Sequence, residues 1–127
     1  MTRDIDVDVR THLLADATIA GLVSDRIYPN VAPLDAVFPN IVYSPVDEND
    51  ECYDGYYYRR IRYSCWTQDT DTVDGYTQLK TLVAAVKSRM LLATTFTASL
   101  AQSINAPNPE LAIYGRHLHY NLTYKEV

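Results

Sequence analysis

Residues 56–66 read Tyr-Tyr-Tyr-Arg-Arg-Ile-Arg-Tyr-Ser-Cys-Trp, rich in aromatic and β-favouring residues and without Pro or Gly. Successive side chains on a strand point to opposite faces. Tyr57, Arg59, Ile61, Tyr63 and Cys65 then share one face, and Tyr56, Tyr58, Arg60, Arg62, Ser64 and Trp66 the other. From Ile61 onward the first set is the more apolar, so it is assigned to the core. The pattern predicts a central strand with one dry face and one cationic-aromatic face, and at least two of its three arginines turned outward.

The rest of the chain arranges itself around that strand. Ile5, Val9, Leu13 and Leu14 recur at helical spacing, with Asp4, Asp6 and Asp8 near the start, where the helix dipole favours acids. Asp16 can cap a second helical turn over residues 17–23. Pro29, Pro33 and Pro39 bracket a stiff extended connector. Residues 40–46 predict a strand with Pro45 at its end or on an edge. The stretch 47–55 is the most polar of the chain and closes on the turn dipeptide Asp54-Gly55. The 40–46 and 56–66 strands are therefore expected as antiparallel neighbours around an acidic loop. Asp69 and Asp71 offer N-caps for a helix over 73–90, whose apolar stripe is Tyr76, Leu79, Val83, Val86 and Met90, widened by Leu82. Residues 92–100 alternate as a strand, 105–110 form a turn, and 111–124 predict a last strand broken at Gly115. In that strand Leu118, Tyr120, Leu122 and Tyr124 oppose His117, His119, Asn121 and Thr123.

The expected fold class is α+β: a mostly antiparallel sheet packed against one long helix, with a short N-terminal helical segment. The expected core holds Leu13, Leu22, Ile41 or Val42, Ile61, Tyr63, Leu79, Val83, Val86, Leu118, Tyr120 and Leu122. At 127 residues, with no linker or repeat, one domain over 1–127 is expected.

Charge narrows the function. The net charge is −5, from 11 Lys+Arg against 16 Asp+Glu, which argues against a general nucleic-acid binder. The 11 tyrosines lean towards interfaces, since tyrosine is amphipathic and enriched there. Cys52 and Cys65 lack zinc-type spacing. A disulfide between them can be drawn on paper, but nothing at the N-terminus reads as a signal peptide, so a reduced intracellular chain is expected. No apolar stretch reaches membrane-span length.

Candidate chemistry is sparse. His117 and His119 would offer two ligands on one strand face and Cys52, an Asp or a Glu a third, but the spacing matches no metal-ligand pattern, so they are read as solvent-side residues of an amphipathic strand and no metal or cofactor is assigned. The acidic loop lacks the ligand order of a calcium site. No nucleophile elbow, phosphate-cradling loop or zinc-protease motif is present, so no catalytic residue is assigned and a non-enzyme is expected. What remains is surface. The acids Asp47, Glu48, Asp50, Glu51 and Asp54, and the strand residues Tyr56, Tyr58, Arg59, Arg60 and Arg62, are the candidate oligomer or partner interface. The arginines would pair with acids of a neighbouring copy, such as the 47–54 loop. The alternative is a small nucleic-acid-binding module that stacks bases on the Tyr/Arg strand.

The layout as a whole resembles the tail-completion, or tail-terminator, family of tailed bacteriophages and prophages. The resemblance is carried by Leu13-Leu14-Ala15-Asp16, Ile19-Ala20-Gly21-Leu22-Val23, Arg26-Ile27-Tyr28-Pro29 and Pro39-Asn40-Ile41-Val42-Tyr43. Ile61-Arg62-Tyr63-Ser64-Cys65-Trp66, the helix over 78–90 and His119-Tyr120-Asn121-Leu122-Thr123-Tyr124 complete it. It spans residues 11–124, and the order and spacing of the segments carry it. The Tyr56-Tyr57-Tyr58 run and the acidic loop lie outside the shared pattern. The resemblance implies a structural virion subunit without catalytic residues, assembled in the bacterial host cytoplasm. It implies a homo-oligomeric ring, commonly a hexamer, at the head-proximal end of the tail. Its partners would be the tail tube protein and a head-completion or connector protein, with DNA passing through the channel without specific binding.

Overall fold

The computed structural model describes residues 4–47, 52–53 and 55–125. The chain opens with two short helices, α1 (Ile5–Leu14) and α2 (Ala17–Val23). Each starts where an aspartate accepts from free backbone N–H groups: Asp4 from Asp6 and Val7, Asp16 from Thr18 and Ile19. Then follow β1 (Ile27–Pro29), β2 (Asn40–Asp47), β3 (Cys52–Tyr53) and β4 (Tyr56–Gln68). Helix α3 (Gly75–Leu91), β5 (Phe96–Asn105), a 3-10 turn (Pro109–Leu111) and β6 (Ile113–Lys125) complete the chain.

The strands form one sheet in the order β1-β2-β4-β6-β5, so β4 is central as its composition predicts. Short β3 also pairs with β4, through a hairpin that turns at Gly55, whose φ is +84°. All pairings are antiparallel except β1 with β2. One face packs on all three helices. Ile5, Val9, Leu13, Ile19 and Val23 come from α1 and α2; Leu79, Leu82, Val83, Val86 and Met90 come from α3. They meet Ile41, Ile61, Tyr63, Cys65, Leu118, Tyr120 and Leu122 from the sheet. Each fully buried aliphatic side chain here contributes roughly 1.5–3 kcal/mol. The class is α+β, with α3 as its long helix.

Several boundaries differ from the sequence reading. The N-cap of α3 is Asp74, not Asp69 or Asp71, and the helix starts at Gly75. A Cβ at Gly75 would lie 2.8 Å from the Gln68 carbonyl carbon, so only glycine allows the helix start to sit this close to the end of β4. Asp69 instead accepts from the Gly75 N–H at 2.7 Å and from the Tyr114 hydroxyl at 3.0 Å, tying α3 to β6. Tyr76 leaves the core stripe and is 48% exposed, because buried Gly75 takes the inward position one turn before Leu79; Lys80 covers its ring at 4.8 Å. Leu22 is half-buried and Val23 takes its core position. Of the Ile41 and Val42 pair, Ile41 is the buried one.

Strand β5 begins at Phe96, not 92, because α3 runs to Leu91. Strand β6 begins at Ile113, after the 3-10 turn, and is not broken at Gly115. A Cβ there would lie 2.3 Å from Trp66 Cζ3, so the glycine makes room for the indole rather than ending the strand. Within the connector, Ile27–Pro29 pairs with Ile41, Val42 and Tyr43 as a parallel strand. Pro45 lies in β2 beyond the segment that β1 covers, where a missing donor costs no sheet bond.

Candidate functional site: the sheet face away from the helices

The face of β4 opposite the helices gathers the most unusual surface of the molecule. Alternation along β4 puts Tyr56, Tyr58, Arg60, Arg62, Ser64 and Trp66 there. The antiparallel register sets Arg62 beside His119 and Ser64 beside His117. Tyr56 and Tyr58 are 42% and 44% exposed, while Arg60 and Arg62 are half-buried. The Nε atoms of both arginines are shielded from solvent and have no hydrogen-bond partner among the described residues. A shielded Nε–H without an acceptor is a cost to the fold.

The histidines are held towards neutrality. Burial lowers the His117 pKa below 6.5, helped by the positive charge of Arg62 and by His119. Burial likewise lowers His119, with Arg60 and Arg62 adding repulsion. His117 Nδ1 lies 2.6 Å from Ser64 Oγ, and its ring meets the Trp66 indole edge-on at 5.5 Å. The Ser64–His117 pair has the spacing of a nucleophile and base. However, Ser64 is only 3% exposed, and no described carboxylate hydrogen-bonds the imidazole to orient it. The described residues contain no group of three or more His, Cys, Asp or Glu placed to hold a metal ion. Cys65 is free and buried, and burial pushes its thiol up to about 12, far from a reactive thiolate.

Of the expected interface residues, Tyr56, Tyr58, Arg60 and Arg62 come together on this face. Arg59 does not. It turns to the helix side, where its Nη2 lies 3.6 Å from Asp6 Oδ2 of α1. Asp47 ends β2, with its backbone in register with Arg60. Glu48, Asp50, Glu51 and Asp54 lie outside the described residues. The sequence reading missed that Ser64, His117 and Trp66 form one cluster with the arginines. The parity signal was present in each strand, but the register that joins them was not.

At the far end of this face the connector folds back over the sheet. It encloses an open cavity of about 480 Å³ against Asn40, Trp66 and Ile113, with Ala32, Leu34 and Phe38 from the connector. Asn40 is 2% exposed and donates from Nδ2 to the Val37 carbonyl at 3.1 Å, while its Oδ1 accepts from no described group.

These features define a compact α+β scaffold whose distinctive chemistry lies in a contact surface. Residues 7–112 match the family described as Tail completion protein gp17, and the chain belongs to that family. It is a structural, tail-completion protein of the bacteriophage type. Among solved structures, it is similar to a chain of the "Virion of native gene transfer agent (GTA) particle", with a TM-score of 0.69. The two are 19% identical, over 94% of this chain and 92% of that one, which shows the shared fold. A comparison with curated proteins finds no match. Among the described residues, no helix is long and apolar enough to cross a membrane.

Proposed function

We propose that this chain, as one domain, forms a ring at the head-proximal end of a phage tail. The ring ends polymerisation of the tube and joins it to a head-completion or connector protein. Six copies is the stoichiometry the family resemblance suggests. Membership of the tail-completion family supports the location. The observation that carries the contact mode is the pair of partly exposed arginines, Arg60 and Arg62, set beside Tyr56 and Tyr58 on the face away from the helices. Acids of a neighbouring copy, with the 47–54 segment the prime candidate, supply charge-assisted hydrogen bonds to them on assembly. A closed ring needs such heterologous contacts, each burying at least about 1,000 Å² in total. The net charge of −5 suits a channel from which DNA is repelled rather than held. The chain works without catalysis or cofactor, within the virion at the tail–head junction, after assembly in the host cytoplasm.

Electron microscopy of the purified protein, alone and mixed with its tail tubes, tests the reading. Rings, or density capping one tube end, support it. A strict monomer that ignores tubes refutes it. The tyrosines beside Arg60 and Arg62 also favour a second reading, a single-strand stacking platform. A salt-dependent gel shift at submicromolar protein would carry that one, and no shift at low salt removes it.

A further inference from the structure

The two ends of α3 carry unexplained apolar surface of opposite shape. Near its N-terminus lies the concave cavity bounded by Asn40, Trp66 and Ile113. Around it the connector presents Val31 (77% exposed), Leu34 (110%) and Val37 (59%). A contiguous apolar patch rimmed by polar groups marks a protein contact. At the other end, about 25 Å away along 17 residues of helix, Leu91 and Leu92 project 81% and 63% exposed. The exposed hydroxyl residues Thr94 and Thr95 follow directly.

We propose that the Leu91–Leu92 corner of one copy seats in the Asn40–Trp66–Ile113 cavity of the next. Two complementarities select a second copy as the occupant. A protruding leucine pair matches an apolar cavity. Charge runs the same way: exposed Asp35 lies between Leu34 and Ala36 of the cavity lining, and Lys87 lies one turn before Leu91 on the same side of α3. A knob and a hole at opposite ends of one subunit make a head-to-tail contact, which is the kind that closes a ring. The inference rests on the ring reading and assigns its residues.

The test places Leu34→Cys and Leu92→Cys in one chain with Cys52→Ser, and assembles it into particles treated with a short bismaleimide. Buried Cys65 stays unreactive. The expected result is a ladder of covalent multimers, absent when either new cysteine is present alone. In parallel, Leu92→Asp should keep its melting temperature, because the side chain is exposed, yet weaken ring formation by about tenfold or more. Rings visible by electron microscopy with no ladder, and with Leu92→Asp assembling normally, overturn this contact while leaving the ring intact. Particles in which the protein forms no ring overturn both. A ladder from Leu92→Cys alone means that the corners meet each other, and also overturns it.

Discussion

Arg59, Arg60 and Arg62 lie within four residues of β4, yet they meet two environments. Arg59 points to the helix side, where Asp6 of α1 answers it at 3.6 Å. Arg60 and Arg62 point away from the helices, and their shielded Nε atoms find no described acceptor. The same division runs through the rest of the strand. On the helix side Ile61, Tyr63 and Cys65 are at most 1% exposed and packed. On the other side Tyr56 and Tyr58 stand open, and two histidines are kept towards neutrality. The helix-side face packs into the core of the subunit, and the other face carries the surface proposed above for contact. If assembly uses the second face, substitutions on the two sides of this one strand should separate folding from assembly.

The largest effect is expected on the packed side. Val83→Asp buries a carboxylate without a partner in the α3–sheet interface and should abolish soluble folded protein, as judged by circular dichroism and gel filtration. A folded, soluble Val83→Asp monomer would show that this face does not hold the domain together. Next comes the other face. Arg60→Ala with Arg62→Ala should shift unfolding free energy by no more than about 0.5 kcal/mol per site, or even stabilise the monomer, while ring formation on tails is lost. If denaturant melts show severe destabilisation and assembly survives, the assignment of the two faces is reversed.

A smaller effect follows from the histidines. Their folded pKa values lie below 6.5, so their neutral forms contribute stability that is fully present above pH 6.5. That stability is lost as pH falls through the lowered folded values, when protons add charge beside Arg60 and Arg62. Imidazole titration by NMR should give midpoints below 6.5, and His117→Gln with His119→Gln should flatten the fall in stability over that window. The smallest effect belongs to Asp6. Burial raises its pKa above 3.8 despite Arg59, so its ionised form is a net cost to the fold. Stability from this group is present below pH 3.8 and lost as pH rises through the raised value. Asp6→Asn should therefore melt no earlier than the parent at pH 7, with any advantage gone at pH 3; a clear loss at pH 7 would mean that the Arg59 pair outweighs burial.

Much of the frame was legible because its signals are local. Asp16 announces α2, and strict alternation after Ile61 and from Arg116 identifies the two long strands with their buried sides. The errors cluster where several local answers are equally good. Asp69, Asp71 and Asp74 can all cap a helix, and the choice fell on Asp74 because Gly75 can sit against Gln68 where other residues cannot. Gly115 is as good a local signal for a break in the strand as for room beside it, and the Trp66 indole, which fills the space a Cβ would take, decides for room. Strand β1 is three residues long and carries no periodicity; its pairing with Ile41 to Tyr43 comes from residues more than ten positions away.

By itself the sequence determined which residues are apolar at strand or helix period, and hence the α+β class, the central strand and the sidedness of Ile61, Tyr63, Val83 and Leu122. It also carried the segments by which the family is recognised. Only the tertiary structure decided that His117 joins Ser64, that Arg59 finds Asp6, and that the connector encloses a cavity beside Trp66. The reason is physical. Periodicity is a property of neighbours along the chain, whereas register, ion pairing and cavities depend on where distant segments come to rest once the core has closed.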